Sequence, residues 1–232
     1  MVIGNGLVAK AFEKYNAIDE FEIFASGVSD SKHSTDKDFA REKKLLLETI
    51  NQHPAKKIVY FSTCSIEDPD LKETAYIKHK LHMEKLIGEN ALHYHIFRLS
   101  NLAGRTNNPH TILNFFYFHI AGNKPFEVWA NSERNIIDVE DTFSISDYIL
   151  TNSLFQNQVI NIANPENYPV LEIVRSIEEL SRKKAIFTKT SKGAKFKIDT
   201  SLITPICESL HIEFCDQYLH QLLKKYYSWN GL

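Results

Sequence analysis

A tyrosine and a lysine four positions apart, Tyr76-Ile77-Lys78-His79-Lys80, are the side chains of this sequence best suited to moving a proton. A phenol ionises near pH 10 and is a poor base at neutral pH, but a neighbouring ammonium favours the phenolate. The i,i+4 spacing sets both on one helix face. With 10 tyrosines in the chain, about one such pair is expected by chance, so its meaning comes from position. Upstream, Phe61-Ser62-Thr63-Cys64-Ser65 places hydroxyls where an apolar stretch ends. In an open parallel sheet, ligands sit beyond the carboxyl ends of the strands. Thr63 is the first candidate to hydrogen-bond a carbonyl or carbinol oxygen as charge develops, with Ser62 and Ser65 as alternatives. Tyr76 would give or take the proton.

A second cluster lies at the start of the chain. Met1-Val2-Ile3 is a short apolar strand, and Gly4-Asn5-Gly6-Leu7-Val8-Ala9 follows as a G-x-G-x-x-A turn opening a helix. In that context Gly4 permits a tight turn, Gly6 admits a pyrophosphate close to the backbone, and Ala9 lets helix and strand approach. N–H groups at the helix start add an anion site. A dinucleotide bound there would supply hydride, leaving the proton to the tyrosine.

Positioning these groups calls for alternating strands and helices. Strands are predicted over residues 1–4, 21–25, 57–61 and 94–99. Helices are predicted over about 6–15, 36–52 and 70–87, the last opening on an Asp70-x-x-Glu73 capping box and ending at Gly88. This is an α/β pattern: a Rossmann-like, doubly wound parallel sheet. After Gly104 the texture changes to an aromatic helix (112–120), short segments at 126–129 and 159–162, helices near 140–150 and 170–180, a basic loop (189–197) and C-terminal helices. The expected division is a dinucleotide-binding core over residues 1–102 and a smaller substrate lobe over 103–232, interleaved with the last strands.

Bulk properties narrow the class. The 232 residues carry a net charge of −2, which gives no long-range attraction to nucleic acid or acidic lipid. Three cysteines without metal spacing, Cys64, Cys207 and Cys215, point to a reducing compartment. No apolar run is long enough for a membrane span, so a cytoplasmic protein is expected.

The order of these motifs resembles the short-chain dehydrogenase/reductase superfamily, and within it the NAD-dependent epimerase/dehydratase branch acting on nucleotide-activated sugars. The glycine turn, a strand ending Ala25-Ser26-Gly27, a strand ending Ser62-Thr63 and Tyr76-x-x-x-Lys80 carry the likeness. So do Arg134-Asn135-Ile136-Ile137-Asp138-Val139-Glu140-Asp141, the Asn161-to-Ile173 segment, and Asp199-x-Ser201 with the final helix. The resemblance implies that Thr63, Tyr76 and Lys80 are catalytic. It implies that Gly4, Asn5, Gly6, Leu7, Val8, Ala25, Ser26, Gly27, Ser62 and Lys80 bind NAD or NADP. Cys64, Ser65, Asn101, Asn114 and Arg134 would face a nucleotide-linked sugar, with Arg134 suited to its phosphates. A homodimer is the assembly it suggests, paired through the aromatic-rich lobe or the Tyr76 helix.

Departures from the family pattern refine the expectation. The chain lacks room for two strand–helix units between the first helix and the strand ending in Gly27, and with them the acidic residue that holds the adenosine ribose. Asp19 and Glu20 precede their strand and do not replace it. Cys64-Ser65 stand where sugar 4,6-dehydratases carry Asp-Glu, which lowers dehydration. A trimmed adenosine site suits exchange of the cofactor, so keto-sugar reduction is preferred. Epimerisation with bound NAD, and a non-catalytic NAD(P)-binding sensor or scaffold, are the alternatives.

Other features read more plainly. Cys64 lacks a partner base and is not expected to be a nucleophile. His79 and His82 lack a third metal ligand and are expected on a solvated face. Phe115 to Phe118 is expected in the core or at a subunit contact. Lys183, Lys184 and the 189–197 lysines are expected to be solvated.

Overall fold

The computed structural model describes residues 1–29 and 34–227. The first half builds β1 (Val2–Ile3), α1 (Leu7–Ala11), β2 (Phe21–Phe24), α2 (Asp36–Gln52), β3 (Lys57–Thr63), α3 (Ala75–Asn90), β4 (Tyr94–Leu99) and β5 (Asn101–Ala103). The second builds α4 (Ile112–Ala121), β6 (Phe126–Trp129), β7 (Glu133–Arg134), β8 (Ile136–Asp138), α5 (Val139–Thr151) and β9 (Gln158–Ile162). It closes with β10 (Tyr168–Pro169), α6 (Val170–Ser181), β11 (Phe187–Thr190), α7 (Thr204–Ser209) and α8 (Tyr218–Tyr227).

The central sheet has the order β1-β2-β3-β4-β9, with every pair parallel. Alternation along the strands sorts the core onto two faces. Phe21, Ile23, Val59, Phe61, Phe97, Leu99, Ile160 and Ile162 pack on one side, with α1, α5 and α7. Phe24, Ile58, Tyr60 and Ile96 pack on the other, against Leu46 and Ile50 of α2 and Met83 and Ile87 of α3. Helices on both faces make this a Rossmann-like, doubly wound sheet, as the sequence implied. A further apolar cluster joins α4, β6, α6 and α8.

The sheet ends at β1. In a full dinucleotide fold the first strand is central, flanked by the strands that carry the ribose carboxylate. Here it is an edge, and the Val2 N–H is taken by Asn16 Oδ1 at 2.9 Å, which blunts it. Asp19 and Glu20 pair with Lys56 and Lys57 at 2.8 and 2.6 Å, before β2 and β3 begin, away from the carboxyl ends of the strands.

Three boundaries differ from the sequence reading. The first helix is a single α turn, Leu7–Ala11, continued by a 3-10 turn over Glu13–Ala17. β3 runs two residues past Phe61, so Ser62 and Thr63 are ladder residues opposite Arg98 and Leu99. The Asp70-x-x-Glu73 box does not cap α3. Pro69 follows an extended Asp68, the chain turns at Leu71 and Thr74, and Thr74 Oγ1 accepts from Ile77 N–H as the true cap. Tyr76 therefore lies in the first turn of α3, and Gly88 falls inside the helix, which ends at Asn90.

Candidate active site

The glycine turn and the Ala25–Gly27 turn are built against each other. Gly4 has φ +134°, and a Cβ there would lie 2.4 Å from the Ala25 carbonyl oxygen, so only glycine fits. Gly6 is the opposite case: a Cβ would meet no atom within 4 Å, so its face is open to a ligand. Asn5 is exposed, Leu7 and Val8 are half-buried, and Leu7 packs against Gly104. Ser26 is held by Arg41 of α2, which donates to its hydroxyl at 3.2 Å and its carbonyl at 3.1 Å. A Cβ on Gly27 would lie 2.8 Å from Lys80 Nζ. The turn beside the glycine loop thus backs directly onto the Tyr76 helix.

Thr63 and Tyr76 come together. Burial, with Glu42 adding, pushes the Tyr76 pKa up to about 12, against the neighbouring Thr63 hydroxyl, which lowers it. The Thr63 hydroxyl also accepts from Ser65 N–H at 3.1 Å. Tyr76 is 8% exposed and Thr63 7%, so the pair lies just beneath the surface at the carboxyl end of β3. Lys80 Nζ lies 6.0 Å from the centre of the Tyr76 ring. Its hydrogen bonds go elsewhere: to Glu42 Oε1 at 3.1 Å, Tyr60 Oη at 3.0 Å and the Phe61 carbonyl at 3.5 Å. Those three acceptors anchor the ammonium inside the fold. Burial lowers the lysine's pKa, and Glu42 and Glu84 oppose it.

The other hydroxyls divide. Ser62 Oγ donates to Glu84 Oε1 at 2.6 Å, and Glu84 is clamped by Arg98 through bonds of 2.9 and 2.7 Å. Ser62 is therefore committed to the α3–β4 packing. The Cys64 thiol donates to the Arg98 carbonyl at 3.0 Å, and burial pushes its pKa far up, consistent with an inert thiol. Ser65 stays half-buried beside Thr63.

Of the residues expected on the substrate side, Asn101 donates to the Asn135 carbonyl at 2.8 Å. Asn114 is fully committed: its Nδ2 donates to the Thr106 and Asn108 carbonyls at 2.9 and 2.8 Å, and its Oδ1 accepts from the Tyr227 hydroxyl. Arg134 is partly buried, donates to the Glu133 carbonyl and stands 3.7 Å from Asp68. His79 corrects the solvated-face reading. It is buried, stacks on Phe39 with ring centres 4.4 Å apart, and bonds Glu42 Oε2 at 2.9 Å. The aromatic run of α4 is split, with Phe116 in the core and Phe118 45% exposed.

Sequence reasoning missed two cations. A cleft of about 570 Å³ opens beside Asn5, Gly6 and Leu7, walled by Arg105 to Asn108 and by rings of α4 and α8. Lys10 and Arg105 both line it, and no acidic side chain does. Among the described residues neither cation makes an ion pair. The signal was present: Lys10 is one helical turn beyond Gly6, and Arg105 follows Gly104. An open glycine face beside two cations suits the diphosphate of a dinucleotide. Among the described residues no acidic side chain lines this cleft to hold an adenosine ribose.

A parallel Rossmann-like sheet with a glycine turn at its first strand and a threonine–tyrosine pair at its third defines a nucleotide-linked α/β architecture. The chain belongs to the NAD dependent epimerase/dehydratase family, whose pattern residues 5–163 match. No curated protein matches the sequence. Solved structures with the same fold include the UDP-glucose 4-epimerase of Thermus thermophilus complexed with NAD (TM-score 0.72, 14% identity, 97% of this chain and 82% of that one). The dTDP-glucose 4,6-dehydratase of Bacillus anthracis in complex with NAD is similar (0.69, 15%, 99% and 80%). So is RMD from Pseudomonas aeruginosa complexed with NADPH (0.72, 14%, 96% and 96%). Among the described residues no helix is long and apolar enough to cross a membrane.

Proposed function

We propose that this protein is an NAD(P)-dependent oxidoreductase that reduces the keto group of a nucleotide-linked sugar. The supporting observation is the Thr63–Tyr76 pair: a buried phenol that feels a buried threonine hydroxyl and is kept protonated by its surroundings. Such a phenol is set to give a proton to a developing alkoxide rather than to take one. Thr63 would hydrogen-bond the same oxygen as its charge grows. Gly6, Lys10 and Arg105 would hold the dinucleotide's phosphates, and the Ala25–Gly27 turn would border it. When bound, the nicotinamide supplies the hydride. The dinucleotide is assigned to residues 1–102 with Arg105 reaching it from the second lobe, and the sugar nucleotide to residues 103–232 with Ser65 reaching it from the core; Arg134 and Ser65 are the candidates on the substrate side.

Epimerisation is the second reading, favoured by the presence of UDP-glucose 4-epimerases among the structures of the same fold. The sheet that stops at β1 favours a cofactor that exchanges, and hence reduction. Cofactor stoichiometry separates the two. A reductase oxidises one NAD(P)H for each sugar converted, whereas an epimerase interconverts sugars with no net change in added cofactor. A chain that neither NAD(H) nor NADP(H) protects from thermal unfolding at millimolar concentration is not a cofactor-using enzyme, because a ligand that binds the native state must stabilise it. Exposed Leu81 on α3 and Phe118 on α4 support pairing of two copies through one of those helices, which light scattering measures directly.

A further inference from the structure

Helix α2 carries a carboxylate into the protein interior. Its inward stripe reads Glu42, Leu46, Thr49 and Ile50, so Glu42 occupies a position that the helical period reserves for an apolar side chain. Its side chain is wholly buried yet fully used. Glu42 Oε2 accepts from Val28 N–H at 2.6 Å and bonds His79 Nε2 at 2.9 Å. Its Oε1 accepts from the Tyr60 hydroxyl at 2.6 Å and from Lys80 Nζ at 3.1 Å. The sheet side (Tyr60), the helix α3 side (His79, Lys80) and the segment after Gly27 (Val28) therefore converge on one carboxylate.

We infer that Glu42 is a positioning residue of the active site: it holds Lys80 as an ammonium against the Gly27 turn, on the helix face it shares with Tyr76. The inference rests on the reading of Tyr76 and Lys80 as catalytic. Its geometry does not. Lys80 donates to Glu42, Tyr60 and the Phe61 carbonyl, and Gly27 leaves room for the Nζ only because it has no side chain. The groups facing Lys80 are Glu42 from α2, Tyr60 from β3, and Tyr76, His79 and Glu84 from its own helix. Of these Glu84 is already neutralised by Arg98 of β4. Glu42 is thus the only carboxylate among them not otherwise paired with an arginine. Burial disfavours its charge, but the bonds from His79, Tyr60 and Val28 and the charge of Lys80 outweigh burial and hold it at about 2. Without that carboxylate, Lys80 would be a buried cation with no counter-ion, and such lysines lose their proton near neutrality.

The test follows the charge of Lys80 itself. Protein labelled at the lysine side chains is titrated by NMR, without cofactor or substrate, with the Lys80 signal assigned through Lys80→Met. In the wild type Lys80 should be an ammonium at neutral pH, and in Glu42→Gln it should lose its proton at a lower pH than in the wild type. Glu42→Asp, which keeps the charge, should restore the ammonium. Turnover should follow: Glu42→Gln should show a new ionisation in its pH–rate profile, with activity falling about tenfold per pH unit above it. A structural role alone would lower the whole profile without changing its shape. If Lys80 is a neutral amine at neutral pH in the wild type, or loses its proton at the same pH in Glu42→Gln as in the wild type, the inference is overturned. The wild-type arm needs no variant at residue 42 to fold. The NMR arms judge the ion pair even if no keto-sugar is turned over, so failure of the reductase reading remains distinguishable.

Discussion

Gly27 and Lys80 meet end on: a Cβ at Gly27 would stand 2.8 Å from the lysine Nζ and 3.0 Å from Glu42 Oε1. The turn expected to border the cofactor and the helix carrying Tyr76 and Lys80 are therefore one packed unit. Gly27→Ala must displace a side chain whose hydrogen bonds are all made inside the protein. A loss of about 1–3 kcal/mol is expected, the usual result of overpacking a filled site. Chemical denaturation measures it, and a change under about 0.5 kcal/mol would mean that Lys80 moves aside freely.

Acid stability carries the signature of Glu42. Its carboxyl lies at about 2 in the folded chain against 4.5 for the free group, so between those values the unfolded chain binds the extra proton. Stability is present above the upper value and lost as pH falls toward the lower one. For this buried group the loss is on the order of 2–3 kcal/mol. Denaturation curves across that range should fall for the wild type and be flatter for Glu42→Gln. Parallel curves would contradict the assigned ion pair.

At alkaline pH the sign reverses. Tyr76 sits at about 12 in the folded chain against 10.0 for a free phenol. Its contribution is fully present below the lower value and is lost as pH rises through the upper one, because the unfolded chain releases its proton first. Tyr76→Phe should therefore weaken the decline in stability between those values. An unchanged decline would place the phenol in a more open setting than the one described.

Lys10 and Arg105 line a cleft that lacks carboxylates, and both are exposed, so reversing either charge should leave the fold intact. Lys10→Glu or Arg105→Glu should weaken NAD(P)H binding by about tenfold or more, the scale of one lost charge-assisted contact. Thermal-shift titration reads this directly. Unchanged binding in both variants would move the diphosphate elsewhere.

Much of the sheet was legible because short apolar strands alternate with helical stretches, and because Pro54 stops α2 before β3. The start of α3 was not, since Asp70-x-x-Glu73 imitates a capping box while Pro69 and two successive turns delay the helix to Thr74. Lys80 was found by its spacing from Tyr76, but its partner was hidden. Glu42 looks like a surface charge until its register with Leu46 and Ile50 is counted. His79 misled in the same way, because a single imidazole on a helix reads as solvated unless a buried carboxylate is known to face it. Asn114 shows the converse limit: a side chain suited to a ligand can be consumed by its own loop.

The most direct measurement is turnover by Tyr76→Phe alongside its thermal protection by NAD(P)H. Removing one hydroxyl should leave protection intact and lower conversion of an accepted keto-sugar nucleotide by about a hundredfold or more, the scale of a lost general acid. Full turnover by that variant, with protection retained, would show that the proton comes from another group.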